Sequence, residues 1–166
     1  MASATEPAEE LAKPFVSQKT PPNAPSLHEC DASGNPAANV RLDCDDPFPN
    51  DEPNIVVDPA DPSHMIASSN DYGSCCDEYY TSFDAGQTWS TGNMSTRGPN
   101  ITGSDPITVI DPKHGTAVHF SLNYHVSSGV PAVNGDVVAS VSTDGGLSWK
   151  VPVIVGHGRG AALFLD

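Results

Sequence analysis

Basic side chains are scarce in this chain: seven Lys and Arg stand against 21 Asp and Glu, a formal net charge of −14 over 166 residues. A surface this acidic repels phosphate backbones and anionic headgroups, which argues against nucleic-acid binding and docking on acidic membranes. Long apolar runs are missing too; none approaches the ~20 residues that a membrane-spanning helix needs, so no membrane insertion is expected. The first ten residues lack the basic and apolar regions of a secretory signal. Metal-binding spacings such as C-x-x-C or H-x-x-x-H do not occur, and neither does an EF-hand loop around Asp144-Gly145-Gly146. No motif demands a cofactor or metal, although bound Ca2+ is compatible with the acidity.

Proline and glycine are plentiful, with 16 and 14 residues, and hydrophobic residues make up only 37%. That balance favours many short strands joined by turns over packed helices. The four cysteines, Cys30, Cys44, Cys75 and Cys76, allow three full disulfide pairings. Zinc or free thiols are the other readings, and disulfides are preferred. Cys30 with Cys44 would close a short loop. Cys75 and Cys76 are neighbours, and a bond between adjacent residues is strained, so each is expected to reach a separate partner. Disulfides place the chain outside the cytoplasm, and the expected location is extracellular or at a cell surface.

Residues 1–27 read as a leader or flexible linker, and 28–51 as an ordered loop rich in Cys and Asp. From Glu52 short apolar runs alternate with turns. Strands are expected over 55–57, 65–67, 78–82 and from Thr88, then again over 107–110, 117–120, 137–142 and through 151–155. The second series repeats the first. Pro53 matches Pro106, Asp58-Pro59 matches Asp111-Pro112, and Asn70 matches Asn123, each pair 53 apart. The later turns are 60 apart (144 − 84), so about seven extra residues fall in the middle of the second copy, around Ser127-Ser128-Gly129. Four strands per repeat at this period describe a propeller blade. The expected units are one blade over 52–103, a second over 104–160, and the start of a truncated further strand over 161–166.

Two turns share the form S-x-D-x-G-x-[ST]-W: Ser82, Asp84, Gly86 and Trp89 in the first, Ser142, Asp144, Gly146 and Trp149 in the second. The Asp can accept hydrogen bonds from turn amides, the Gly permits a positive φ, and the Trp can anchor the hairpin from beneath. This pattern resembles the Asp box, or BNR repeat, of sialidase-like β-propellers, and the resemblance covers about residues 52 to 155. It implies an all-β fold, here a partial β-propeller of about two four-stranded antiparallel blades, with the box residues structural. It implies a fragment of an exo-glycosidase acting on sialylated or related glycans, or alternatively a non-catalytic surface propeller that binds glycans, proteins or a cation. The family's Arg-Ile-Pro motif is absent, and Arg41, Arg97 and Arg159 lie in no such motif, so no catalytic residue carries over.

In a propeller the first strand of each blade lines the central axis. The repeat sets Glu52 opposite Asp105 (105 − 52 = 53), each just before the strand-opening Pro. These two are the catalytic candidates, since paired carboxylates can do acid/base work on glycosides or hold a divalent cation. Asn70, Asp71 and Asn123 are further polar candidates near strand ends. Glycan or protein ligands are the expected partners, and open blade edges would permit self-association.

Overall fold

A computed structural model describes residues 42–43, 48–127 and 130–158. Strands β1 (Asn50–Asp58), β2 (Asp61–Asp71), β3 (Asp77–Ser82) and β4 (Ser90–Asn93) form one sheet in chain order; β5 (Ile101–Asp111), β6 (Thr116–Ser127), β7 (Val130–Ser142) and β8 (Val153–His157) form a second. Every pairing is antiparallel. Among the described residues there is no helix, so none that could cross a membrane. The all-β class and the two four-stranded antiparallel sheets follow the sequence pattern. The leader at 1–27, most of 28–51, and the stretch 161–166 lie outside the described residues, as do Cys30 and Cys44.

The turns carry the reversals. Asp58 Oδ1 accepts from Ala60 N at 2.8 Å, and Asp111 Oδ1 from Lys113 N at 2.9 Å, so each Asp-Pro pair closes its own hairpin. The register departs from the 53-residue repeat. Asp51 pairs with Asn70, but its repeat counterpart Ser104 pairs with Leu122, which is 52 residues after Asn70 (122 − 70). A bulge between Val57 and Asp58 interrupts the first ladder, whereas the second runs unbroken from Ile107↔Phe120 to Asp111↔Thr116. A one-residue slip moves a side chain to the other face of a sheet. The structural counterpart of Asn70 is therefore Leu122, and Asn123 points to the opposite face. The extra residues of the second copy extend β6 and β7 into a longer hairpin, with β6 ending at Ser127 and β7 starting at Val130.

Side chains on one face of the first sheet, from His64, Ile66 and Ser68 on β2 and Tyr79 and Thr81 on β3, meet the second sheet. The junction is largely polar. His64 Nε2 donates to Gly145 O at 2.8 Å, Thr81 Oγ1 to Gly146 O at 2.9 Å, and Tyr79 Oη to Leu147 O at 3.2 Å. Buried His119 bridges Asp77 Oδ2 at 3.2 Å and Thr108 Oγ1 at 2.9 Å. Buried polar groups are tolerated when partnered in this way. The opposite face of the first sheet carries an apolar cluster of Ala67, Tyr80 and Trp89, with Leu42 and Met65 packed against it.

Candidate functional site

The site lies at the end of the sheets where β1 and β5 begin. Glu52 (φ 51°) and Asp105 (φ 56°) both adopt left-handed backbone conformations immediately before a proline. A residue in that position ordinarily takes an extended conformation, and a non-glycine at positive φ costs about 1–3 kcal/mol. Ladder irregularities fall at the same places, between Asp51 and Asn54 and between Ser104 and Ile107. The two bulges turn both carboxylates outward, and both residues are exposed.

Asn70 ties the two starts together. Its Nδ2 donates to Asp51 Oδ1 at 2.7 Å and to Glu52 Oε2 at 3.2 Å, while its Oδ1 accepts from Asp105 N of the second sheet at 2.8 Å. Tyr72 Oη donates to Asp51 Oδ2 at 3.1 Å, which holds a 59% exposed ring beside the carboxylates. A hydrogen bond between the Glu52 and Asp105 carboxyls raises Glu52 above its ordinary value. The Asn70 hydrogen bond opposes that shift, and the charges of Asp105 and Asp51 reinforce it. Asn70 thus ties the Glu52 side chain to the Asp105 backbone and sets the two carboxyls beside each other at the starts of β1 and β5.

The β2–β3 loop borders this end. Asp71 Oδ1 accepts from Gly73 N at 2.7 Å and Ser74 N at 3.2 Å, and Asn93 Nδ2 donates to Asp71 Oδ2 at 3.0 Å. Cys75 and Cys76 are bonded to each other, with Cα atoms 3.7 Å apart, which corrects the expectation of separate partners. The tight loop set by Asp71 and Ser74 turns the two side chains toward each other, leaving Cys75 exposed and Cys76 buried. Cys75 O accepts from Gly103 N at 3.0 Å, so this loop also anchors the start of β5.

Arg97, the one arginine among the described residues, donates to Asp136 Oδ2 at 2.6 Å, and its backbone N donates to Asn123 Oδ1 at 3.2 Å. Asp136 also faces His157 Nδ1 at 3.1 Å. Lys113 lies in the β5–β6 turn at the opposite end, and Lys150 follows the second S-x-D-x-G-x-[ST]-W turn. Among the described residues no group of three or more His, Cys, Asp and Glu is disposed to hold a metal ion.

The two S-x-D-x-G-x-[ST]-W turns sit at that opposite end. Asp84 Oδ1 accepts from Ser82 Oγ at 2.9 Å and Thr88 N at 2.8 Å, and its Oδ2 accepts from Thr88 Oγ1 at 2.6 Å. Asp144 makes the same set with Ser142 Oγ at 2.7 Å, Ser148 N at 2.9 Å and Ser148 Oγ. Ser82 and Ser142 hydroxyls accept from Gly86 N at 2.9 Å and Gly146 N at 2.8 Å. Burial pushes both aspartates up, but these hydrogen bonds outweigh it and hold both carboxyls below the ordinary range. The tryptophans differ. Trp89 Nε1 donates to Gly86 O at 3.0 Å within its own turn. Trp149 reaches across the junction edge-on to Tyr79 at 5.9 Å and also lies edge-on to His119 of its own sheet at 5.7 Å.

Asn70 is the residue whose role the sequence understated. It appeared only as one polar residue among several, because its apparent match with Asn123 hid the register shift. Asp51 and Tyr72 carried no signal of their own.

No protein-family model matches the chain, and no curated protein sequence matches it.

Proposed function

We propose that this chain contributes two blades to a sialidase-like Asp-box propeller whose Glu52–Asp105 mouth binds glycans without cleaving them. The observation that carries this reading is Asn70, which donates to Glu52 Oε2 and accepts from Asp105 N and so gathers the two carboxyls at one mouth across the two sheets. Carboxyl oxygens beside the Asn70 amide and the Tyr72 hydroxyl present acceptors and donors side by side, which suits sugar hydroxyls. The exposed Tyr72 ring adds an apolar surface next to it. The mouth gathers Asp51, Glu52 and Asp105, and its nearest described guanidinium is engaged by Asp136. That balance favours an uncharged glycan over a sialylated one.

The raised Glu52 carboxyl supports a second reading, in which it donates a proton to a glycosidic oxygen as general acid. Binding to an array of neutral and sialylated glycans, alongside turnover of fluorogenic neutral glycosides and sialosides, separates the two. Binding to neutral glycans without turnover, weakened about tenfold or more by Asn70→Ala, is the expected result. Turnover lost in Glu52→Gln would establish the second reading. Neither binding nor turnover by the folded chain would remove both.

A further inference from the structure

The β2–β3 ladder ends one pair earlier than its register allows. Its last pair is Asn70↔Asp77, and one further step sets Asp71 against Cys76. Asp77 O accepts from Met94 N on the β4 side at 2.8 Å, so the backbone groups of Cys76, one residue earlier on the pleat, are the ones due to face β2. They do not bond to it. The Ser74 hydroxyl takes both, accepting from Cys76 N at 3.1 Å and donating to Cys76 O at 3.3 Å. The bond between Cys75 and Cys76 explains the early stop. Neighbouring side chains on a strand point to opposite faces, whereas linked sulfurs hold these two on one side, so both residues cannot be extended at once. The loop kept open in this way reaches the second sheet. Cys75 O accepts from Gly103 N at 3.0 Å, two residues before Asp105.

We infer that the Cys75–Cys76 bond is a reducible latch, opened by a dithiol, that sets whether the β2–β3 loop holds the start of β5. Cys75 is exposed and Cys76 is buried, so an incoming thiolate reaches the bond from the Cys75 side, and exposed disulfides are the labile ones. One thiolate of the dithiol attacks the Cys75 sulfur, forms a mixed disulfide and expels the Cys76 thiolate. The second attacks the dithiol's own sulfur in that mixed disulfide, closes a cyclic disulfide and expels the Cys75 thiolate. Two electrons and the dithiol's two protons pass to the cysteine pair. With its side chain free to alternate, Cys76 joins β3 and pairs with Asp71 in place of the Ser74 hydroxyl. Cys75 is drawn along with it, and its carbonyl leaves Gly103. Reduction thereby removes one of the ties that fix the strand carrying Asp105 beside the first sheet. The latch is read at a backbone amide, so it stands or falls apart from the glycan reading.

Hydrogen exchange of the Gly103 amide, followed by NMR on the full chain with and without dithiothreitol, tests it. Peptide mapping of parallel alkylated samples reports the state of Cys75 and Cys76. Reduction is expected to open the bond in the folded protein, speed Gly103 exchange about tenfold or more, and bring up a backbone contact between Asp71 and Cys76. Reoxidation should restore the slow exchange. The double substitution Cys75→Ser, Cys76→Ser should exchange fast at Gly103 whether or not dithiothreitol is present, which separates this bond from any effect of Cys30 and Cys44. A bond that resists dithiothreitol in the folded protein overturns the inference. So does Gly103 exchange that stays slow once both thiols are alkylated, or that responds to dithiothreitol equally in the double variant.

Discussion

Asp84 and Asp144 each collect hydrogen bonds from two side chains and a backbone amide inside a single turn. Replacing either with Ala strands those donors, and thermal or urea unfolding should show a loss of about 1–3 kcal/mol for each. The two carboxyls also set an acid limit. Their pKa values lie below the ordinary range in the folded state, so their contribution is complete above the unfolded value, near pH 4. It is lost as pH falls through the folded values. Unfolding midpoints should drop steeply below about pH 4, and the double substitution Asp84→Asn, Asp144→Asn should flatten that limb. Glu52 has the opposite sign. Its raised pKa gives a contribution present at low pH and lost as pH rises through the elevated folded value. Titrating Glu52 by carbon-13 NMR should find that elevated value in the wild type and a return toward ordinary in Asp105→Asn.

Between elements, the second turn serves the junction as well as its own hairpin. Gly146 (φ 89°) sits where an added Cβ would approach Ile66 Cδ1 to 2.7 Å and Thr81 Oγ1 to 2.9 Å. Gly86 (φ 83°), its counterpart in the first turn, meets only Trp89 at 3.4 Å and Met65 Sδ at 3.6 Å. Both substitutions to Ala carry the cost of positive φ, but only Gly146→Ala also forces the sheets apart. It should destabilise by about 1–3 kcal/mol more than Gly86→Ala in equilibrium unfolding. Thr81→Val, which leaves Gly146 O without its side-chain donor, should cost about 1–3 kcal/mol by the same measurement.

At the scale of the whole molecule, the net charge of −14 opposes compaction. Carboxylates at the mouth lie close together, and only Arg97, Lys113 and Lys150 supply Lys or Arg charge among the described residues. Salt should therefore stabilise the chain. Raising NaCl from about 0.02 to about 0.5 M shortens the Debye length several-fold, and the thermal midpoint should rise by several degrees. A midpoint unaffected by salt would mean that the charges are already far enough apart to be screened by water alone.

Strand positions were readable because β-branched and aromatic runs alternate with Asp-Pro and Gly-rich turns at a spacing that leaves few other solutions. The two S-x-D-x-G-x-[ST]-W segments marked the third reversal of each four-strand series, since their hydrogen bonds close within seven or eight residues and depend on local chemistry. Glu52 and Asp105 were selected by the same repeat, each being fixed by the proline after it. Asn70 was not, because its importance arises from a register that slips by one residue after the first turn, and a repeat counted along the chain cannot register a bulge. The Cys75–Cys76 bond likewise depended on a loop shaped by Asp71 and Ser74. Thus local order, the periodic strands and the self-contained turns, was determined by sequence alone. Which face each side chain occupies, and so the Asn70 tie between the two strand starts and the polar junction, was decided by tertiary pairing, because facing in a sheet alternates with every residue and a single slip reverses it.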